Sequence, residues 1–238
     1  MRILGIESSA AAASAAVVQD GRLLGEFFVN TKQTHSQTLL PMVEALLRNL
    51  GLTCRDLDGM AVASGPGSFT GVRIGVACVK GLALPGNVPC CGVSALSAIA
   101  FGGLACKGDV LCAVMDARCG QVYNALFETD GERLKRLTED RALAISELEE
   151  ECRSYGERLL LLGDGAALCQ ESFSGFGARL APESIRFQRA GSVAQLAAEG
   201  TWTDSGRLLP VYLRMPQAER ELKRKRENSN RKDGSECG

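Results

Sequence analysis

Residues 64–84 read SGPGSFTGVRIGVACVKGLAL, with four glycines in the first twelve positions and then a run rich in valine, leucine and alanine. Just before it, GMAVAS (59–64) has the length and apolarity of a short buried strand, and residues 70–84 have helical periodicity. The stretch is therefore a strand-to-helix junction, where backbone N–H groups and a helix dipole can hold an anion. Its spacing matches no standard nucleotide motif. Gly65, Gly67 and Gly71 give GxGxxxG rather than GxGxxG, no acidic residue follows about 20 positions on, and no GK[ST] makes a P-loop. Two readings stand: the glycines permit left-handed turns and close packing of backbone on backbone, or Gly65, Gly67 and Ser68 cradle a phosphate. The spacing favours the first.

Working outward, RILGIESS opens the chain and ASAAVVQDGRLLGEFFVNT (13–31) follows, with Asp20-Gly21 between apolar runs as a two-residue hairpin signal. Three antiparallel strands are predicted. In HSQTLLPMVEALLRNLG (35–51) the apolar residues recur at helical spacing over 36–50; Gly51 suits a C-cap and Pro41 is expected in or near the first turn. VPCCGVS (88–94) reads as a strand and ALSAIAFGG (95–103) as a small helix. The second half restarts the same programme: DVLCAVMDARCGQVYNALFETDGERLKRLTED (109–140) carries strand, acidic residue, strand, Asp-Gly turn and strand. A helix in SELEEECRSYG, a strand in RLLLLGDG and a helix in SVAQLAAEG follow. Two similar halves of this kind make an α/β protein with a mixed sheet flanked by helices in each half.

The chain has 238 residues, 45% hydrophobic and 23% charged, with a formal net charge of −1, so the molecule as a whole exerts no strong pull on nucleic acid or anionic membrane. Glu7 interrupts the first apolar run well short of a secretory core or a membrane span, and a cytoplasmic protein without membrane contact is expected. Ten cysteines with no CxxC pair read as reduced, buried small hydrophobes; Cys90 and Cys91, adjacent in a strand, point to opposite faces. With His35 as the sole histidine, a Cys/His zinc site and an HExxH helix are disfavoured, and no metal site is expected.

Glu7 and Asp116 each end the first strand of their half, so a two-lobed fold can turn both toward one cleft, to hold magnesium or act as a base; otherwise each caps a turn or meets solvent. His35 stands ahead of a helix, suited to capping or surface contact rather than catalysis. Helix 36–50 carries an apolar arc of roughly 160°, wider than one sheet face needs, which serves either the core or a partner. From Arg214 onward eight Lys or Arg stand against five Asp or Glu with few large apolar residues; this tail is expected to be mostly disordered, either a solvated end or a phosphate contact.

ILGIESS, HSQTLLPMVEALL, GPGSFTGVRIGVACVKGLAL with GVSAL after it, DARCGQVYNALF and PVYLR, in that order from residue 3 to 214, together resemble the TsaB (YeaZ) family. The resemblance implies an actin-like (ASKHA, ribonuclease H-like) fold of two duplicated lobes, taken as residues 1–104, the partner-binding lobe, and 105–214, with 215–238 as the tail. It also implies a non-catalytic subunit with no catalytic residue or cofactor of its own. Such a subunit pairs with a homologous TsaD-like catalytic subunit and a TsaE-like ATPase to transfer threonylcarbamoyl from its adenylate to N6 of adenosine 37 in tRNA. The catalytic partner holds a metal through a histidine pair, which a chain with only His35 cannot reproduce. His35, Leu39, Leu40, Met42, Val43, Leu46 and Leu47 are the expected partner interface, and the same surface pairs two copies when the chain is alone. A nucleotide at the subunit interface and tRNA contact through the tail stay open. Glu7 departs from the family's usual aspartate, and the basic extension is longer than the family's. The rival readings are an independent phosphotransferase or ATPase built on Glu7 and Asp116, a metalloprotease, which the lone histidine disfavours, and a tRNA-binding module acting through the tail.

Overall fold

The computed structural model describes residues 1–31 and 33–214, and the expectations for the tail lie outside them. β1 (Arg2–Glu7), β2 (Ala13–Gln19) and β3 (Arg22–Val29) form the antiparallel meander expected from the sequence. Asp20 and Gly21 take positive φ values of 50° and 78°, the left-handed pair that a two-residue hairpin requires. α1 (His35–Leu50) then leads to β4 (Gly59–Gly65), α2 (Phe69–Ala83), β5 (Cys90–Ser94) and α3 (Ala95–Gly102). Gly51 closes α1 in the left-handed conformation. Pro41 departs from expectation: it lies inside α1 rather than in its first turn, on the exposed side, where a missing backbone bond can be made good by water.

The second half contains β6 (Val110–Asp116), β7 (Gln121–Thr129), β8 (Leu134–Arg136), β9 (Arg141–Ala144), α4 (Ile145–Cys152), β10 (Leu159–Leu162), α5 (Ala166–Phe173), β11 (Arg179–Leu180), α6 (Glu183–Arg186) and α7 (Ala190–Ala197). The first sheet has the order β3-β2-β1-β4-β5 and the second β11-β10-β6-β7-β8, with β9 also on β7. In both, the opening strand pairs antiparallel with its successor and parallel with a later strand reached through a helix. The duplication read in the sequence is thus present, in the actin-like arrangement that the resemblance implies.

Strand alternation builds three cores from two sheets. Leu4, Ile6, Met60, Val62 and Cys90 face α1 and α2, whereas Ile3, Ala61, Ala63 and Cys91 face inward. β6 divides in the same way: Leu111, Ala113 and Met115 join that inner core, and Val110, Cys112 and Val114 face α4 and α5. Burial on both faces explains why β1, β4 and β6 read as near-continuous apolar runs.

α7 belongs late in the chain yet packs on β1, β2 and β4, adding Val193, Ala194 and Ala197 to the inner core beside α3. Its first turn is held by the first lobe: the Ala190 N–H donates to Ser14 Oγ at 2.8 Å and the Gly191 N–H to Glu26 Oε1 at 3.0 Å. Among the described residues no helix is long and apolar enough to cross a membrane. Ser14→Ala leaves the buried Ala190 N–H without an acceptor and is expected to lower unfolding free energy by about 1–3 kcal/mol; urea denaturation at fixed pH measures it.

Candidate functional site

The glycine-rich junction is filled from within the chain. After β1 the backbone turns at Ser8 and Ser9 and lies on the start of α2, where the Ser68 N–H donates to the Ser9 carbonyl at 2.7 Å. The Ser8 hydroxyl donates to the Gly71 carbonyl at 2.9 Å, and Ser68 Oγ caps α2 by accepting from the Gly71 N–H at 3.3 Å. A Cβ on Gly71 would run into the Ser8 carbonyl oxygen, and one on Gly67, whose φ is +156°, into that of Ser9. These two glycines let one backbone lie directly on another. Gly65, joined to Pro66 by a cis peptide, meets the Val211 carbonyl in the same way.

Glu7 sits beneath this clasp, fully buried. Its Oε1 accepts from the Ser9 N–H at 2.6 Å, while Oε2 and the Ser9 hydroxyl have no partner among the described residues. Burial drives the carboxyl up from an ordinary 4.5 to about 7, against the pull of the Ser9 N–H and with added repulsion from Asp164. Asp164, in the turn after β10, accepts from Gln188 Nε2 at 2.8 Å and is itself raised, chiefly by burial. Asp116 ends β6, accepts from the Arg118 N–H at 2.7 Å, forms an ion pair with Arg118 at 3.2 Å, and adds to the repulsion on Asp164. The ends of the two halves' first strands are thus linked electrostatically through Asp164, which the sequence reading missed. RLLLLGDG signalled only a strand. Among the described residues no three His, Cys, Asp or Glu side chains gather as a metal-holding group.

His35 begins α1, and its Nε2 lies 2.7 Å from the Ala10 carbonyl, so that nitrogen carries the proton and donates. Leu39, Met42, Val43, Leu46 and Leu47 lie buried against the first sheet, whereas Leu40 is 52% exposed. Met42 also edges a groove between α1 and β3, and Leu40, Val43 and Leu47 edge another, on the other flank of α1, that Leu82 of α2 also lines. Of the nine cysteines described, Cys90, Cys91, Cys112, Cys152 and Cys169 are buried and all nine are free thiols. Cys119 departs from the expected burial because it occupies the exposed turn between β6 and β7, where Arg118, Cys119 and Gly120 all have positive φ.

The TsaD family model, described as tRNA N6-adenosine threonylcarbamoyltransferase, matches residues 23–203. The tRNA threonylcarbamoyladenosine biosynthesis protein TsaB of Bacillus subtilis is 31% identical over 222 residues, which cover 92% of this chain and 96% of that protein. The Escherichia coli protein of the same name is 32% identical over 220 residues, covering 90% of this chain and 95% of that one. A crystal structure from Pseudomonas aeruginosa, described as an uncharacterized protein with similarity to peptidase YeaZ, superposes with a TM-score of 0.74 at 28% identity over 90% of this chain and 99% of its own.

Glu7 makes the fold pH-sensitive. The native state keeps a proton that the unfolded chain releases between pH 4.5 and about 7, so stability falls as pH rises through that window. Glu7→Gln removes the titration. Above pH 7 the variant is expected to exceed the wild type by up to about 3 kcal/mol, with the difference vanishing below pH 4.5; denaturation midpoints across that range measure it.

Proposed function

This chain belongs to the TsaB family of tRNA threonylcarbamoyladenosine biosynthesis proteins, and on that footing we propose that it serves as a non-catalytic scaffold for a TsaD-like catalytic subunit. The observation that carries this reading is the outward side of α1, where exposed Leu40 stands over a groove bounded by Val43, Leu47, Leu52 and Leu82. A leucine ridge beside a groove of mainly apolar lining, with Glu44 and Arg48 on its rim, suits a homologous lobe carrying its own helix pair. Leu39 and Leu46 support that ridge from the core, and Met42, Val43 and Leu47 do so while edging the grooves.

Two further observations support the absence of independent chemistry. The Ser8–Ser9 backbone occupies the clasp at the glycine junction, and His35 donates into the Ala10 carbonyl. The scaffold acts by differential affinity: docking favours the active arrangement of the partner to the extent that it binds that arrangement more tightly. A TsaE-like ATPase joins the pair, and the chain self-associates through the same face when the partner is absent.

Depleting the protein in its host is expected to lower threonylcarbamoyladenosine in total tRNA, read by mass spectrometry of nucleoside digests; unchanged modification refutes the proposal. Leu40→Glu places a charge on the ridge without entering the core. It is expected to weaken binding of the TsaD-like subunit roughly tenfold or more, read by calorimetry, with the melting midpoint of the isolated chain within about 2 °C of wild type.

A further inference from the structure

One exposed arginine on the outer side of α2 is held between two aromatic side chains. Phe69 and Arg73 stand one turn apart, and the Arg73 guanidinium lies 3.7 Å from the centre of the Phe69 ring. Its Nε donates to the Tyr212 hydroxyl at 2.9 Å, and the Tyr212 ring packs on Phe69 with centroids 4.7 Å apart. Tyr212 is in turn fixed by a strap. Lys80 Nζ donates to the Gly206 and Leu208 carbonyls at 3.2 Å each, the Val211 N–H to the Ser64 carbonyl at 2.7 Å, and Arg214 Nη1 to the Ala117 carbonyl at 2.9 Å. The guanidinium is thus oriented on both sides while the residue stays exposed.

Three of the other four arginines placed over a phenylalanine ring have an acid of their own, and the fourth, Arg186 over Phe187, donates instead to the Ala181 carbonyl at 2.7 Å. Arg136 on Phe127 pairs with Asp140, Arg153 on Phe176 with Glu149, and Arg189 on Phe28 with Glu26. Among the described residues no carboxylate lies within salt-bridge reach of Arg73. Further along the same exposed side come Ala77 and Gly81, and a Cβ at Gly81 would meet nothing, so another backbone can approach closely.

We propose that Arg73 is a pre-oriented anchor for an aspartate or glutamate on a helix of the TsaD-like subunit, received along the outer side of α2. The inference rests on the scaffold reading and names the residue that sets its specificity. A fixed guanidinium fork loses little freedom on meeting a carboxylate, and arginine is among the residues enriched at binding hot spots. An acidic protein surface fits better than an RNA backbone. Phosphate recognition needs several free cations, and the nearby Lys80 ammonium is engaged with carbonyls.

Calorimetric titration of the TsaD-like subunit into the full chain tests this, with each variant's melting midpoint measured alongside. Arg73→Glu is expected to weaken association roughly thirtyfold or more, Arg73→Lys roughly tenfold through loss of the fork, and Tyr212→Phe a few-fold by freeing the guanidinium. An Asp→Arg or Glu→Arg change at the contacted site on the subunit is expected to restore binding to Arg73→Glu. If Arg73→Glu melts early, Arg73→Lys and Tyr212→Phe decide. Wild-type chain that fails to bind the subunit overturns the scaffold reading itself. Wild-type binding with variants within twofold of it overturns the Arg73 anchor alone, as does a loss confined to tRNA binding or to self-association.

Discussion

The seating of the Ser8–Ser9 backbone on the first turn of α2 is the contact on which the rest of the first lobe depends. It brings the end of the central strand against the helix that follows the next strand, at a separation only glycine allows at positions 67 and 71. Three consequences follow from that one approach. Glu7 is sealed away from water and its carboxyl is pushed toward neutrality. The Ala10 carbonyl is presented to His35, which places the start of α1. α2 is set beside α1, and the two helices share the groove that Leu47 and Leu82 line.

The same contact changes the meaning of a glycine-rich strand-to-helix turn. Such a junction holds phosphate when its N–H groups face an open cleft. Here the Ser68 N–H meets the protein's own Ser9 carbonyl and the Gly71 N–H meets the capping hydroxyl. An enzyme active site and a rigid docking lobe therefore begin from similar sequence and part company at what fills the turn. A lobe closed in this way suits the docking role proposed above, with α1 and α2 as the proposed surface.

Most of the fold was legible in the sequence because it rests on local signals. Asp20-Gly21 gave the hairpin, the helical arc from Leu39 to Leu47 gave α1, and alternation at Cys90 and Cys91 sent those thiols to different cores. What escaped depends on tertiary placement. The pattern around Val193 indicates a helix but not that it returns to the first sheet, and Asp164 becomes relevant to Glu7 only when the two halves close together. The strap from Gly206 to Arg214 has no period to detect; it is held by scattered hydrogen bonds to Ser64, Lys80, Arg73 and Ala117. β8 and β9 divide between them the place that one strand holds in the first half, and so blurred the repeat.

Calorimetric titration of magnesium–ATP into the isolated chain tests most directly whether the clasp is closed by the protein itself. No heat of binding is expected up to millimolar nucleotide. Saturable micromolar binding, lost in Glu7→Ala, contradicts a lobe built for docking and restores the junction as a phosphate site.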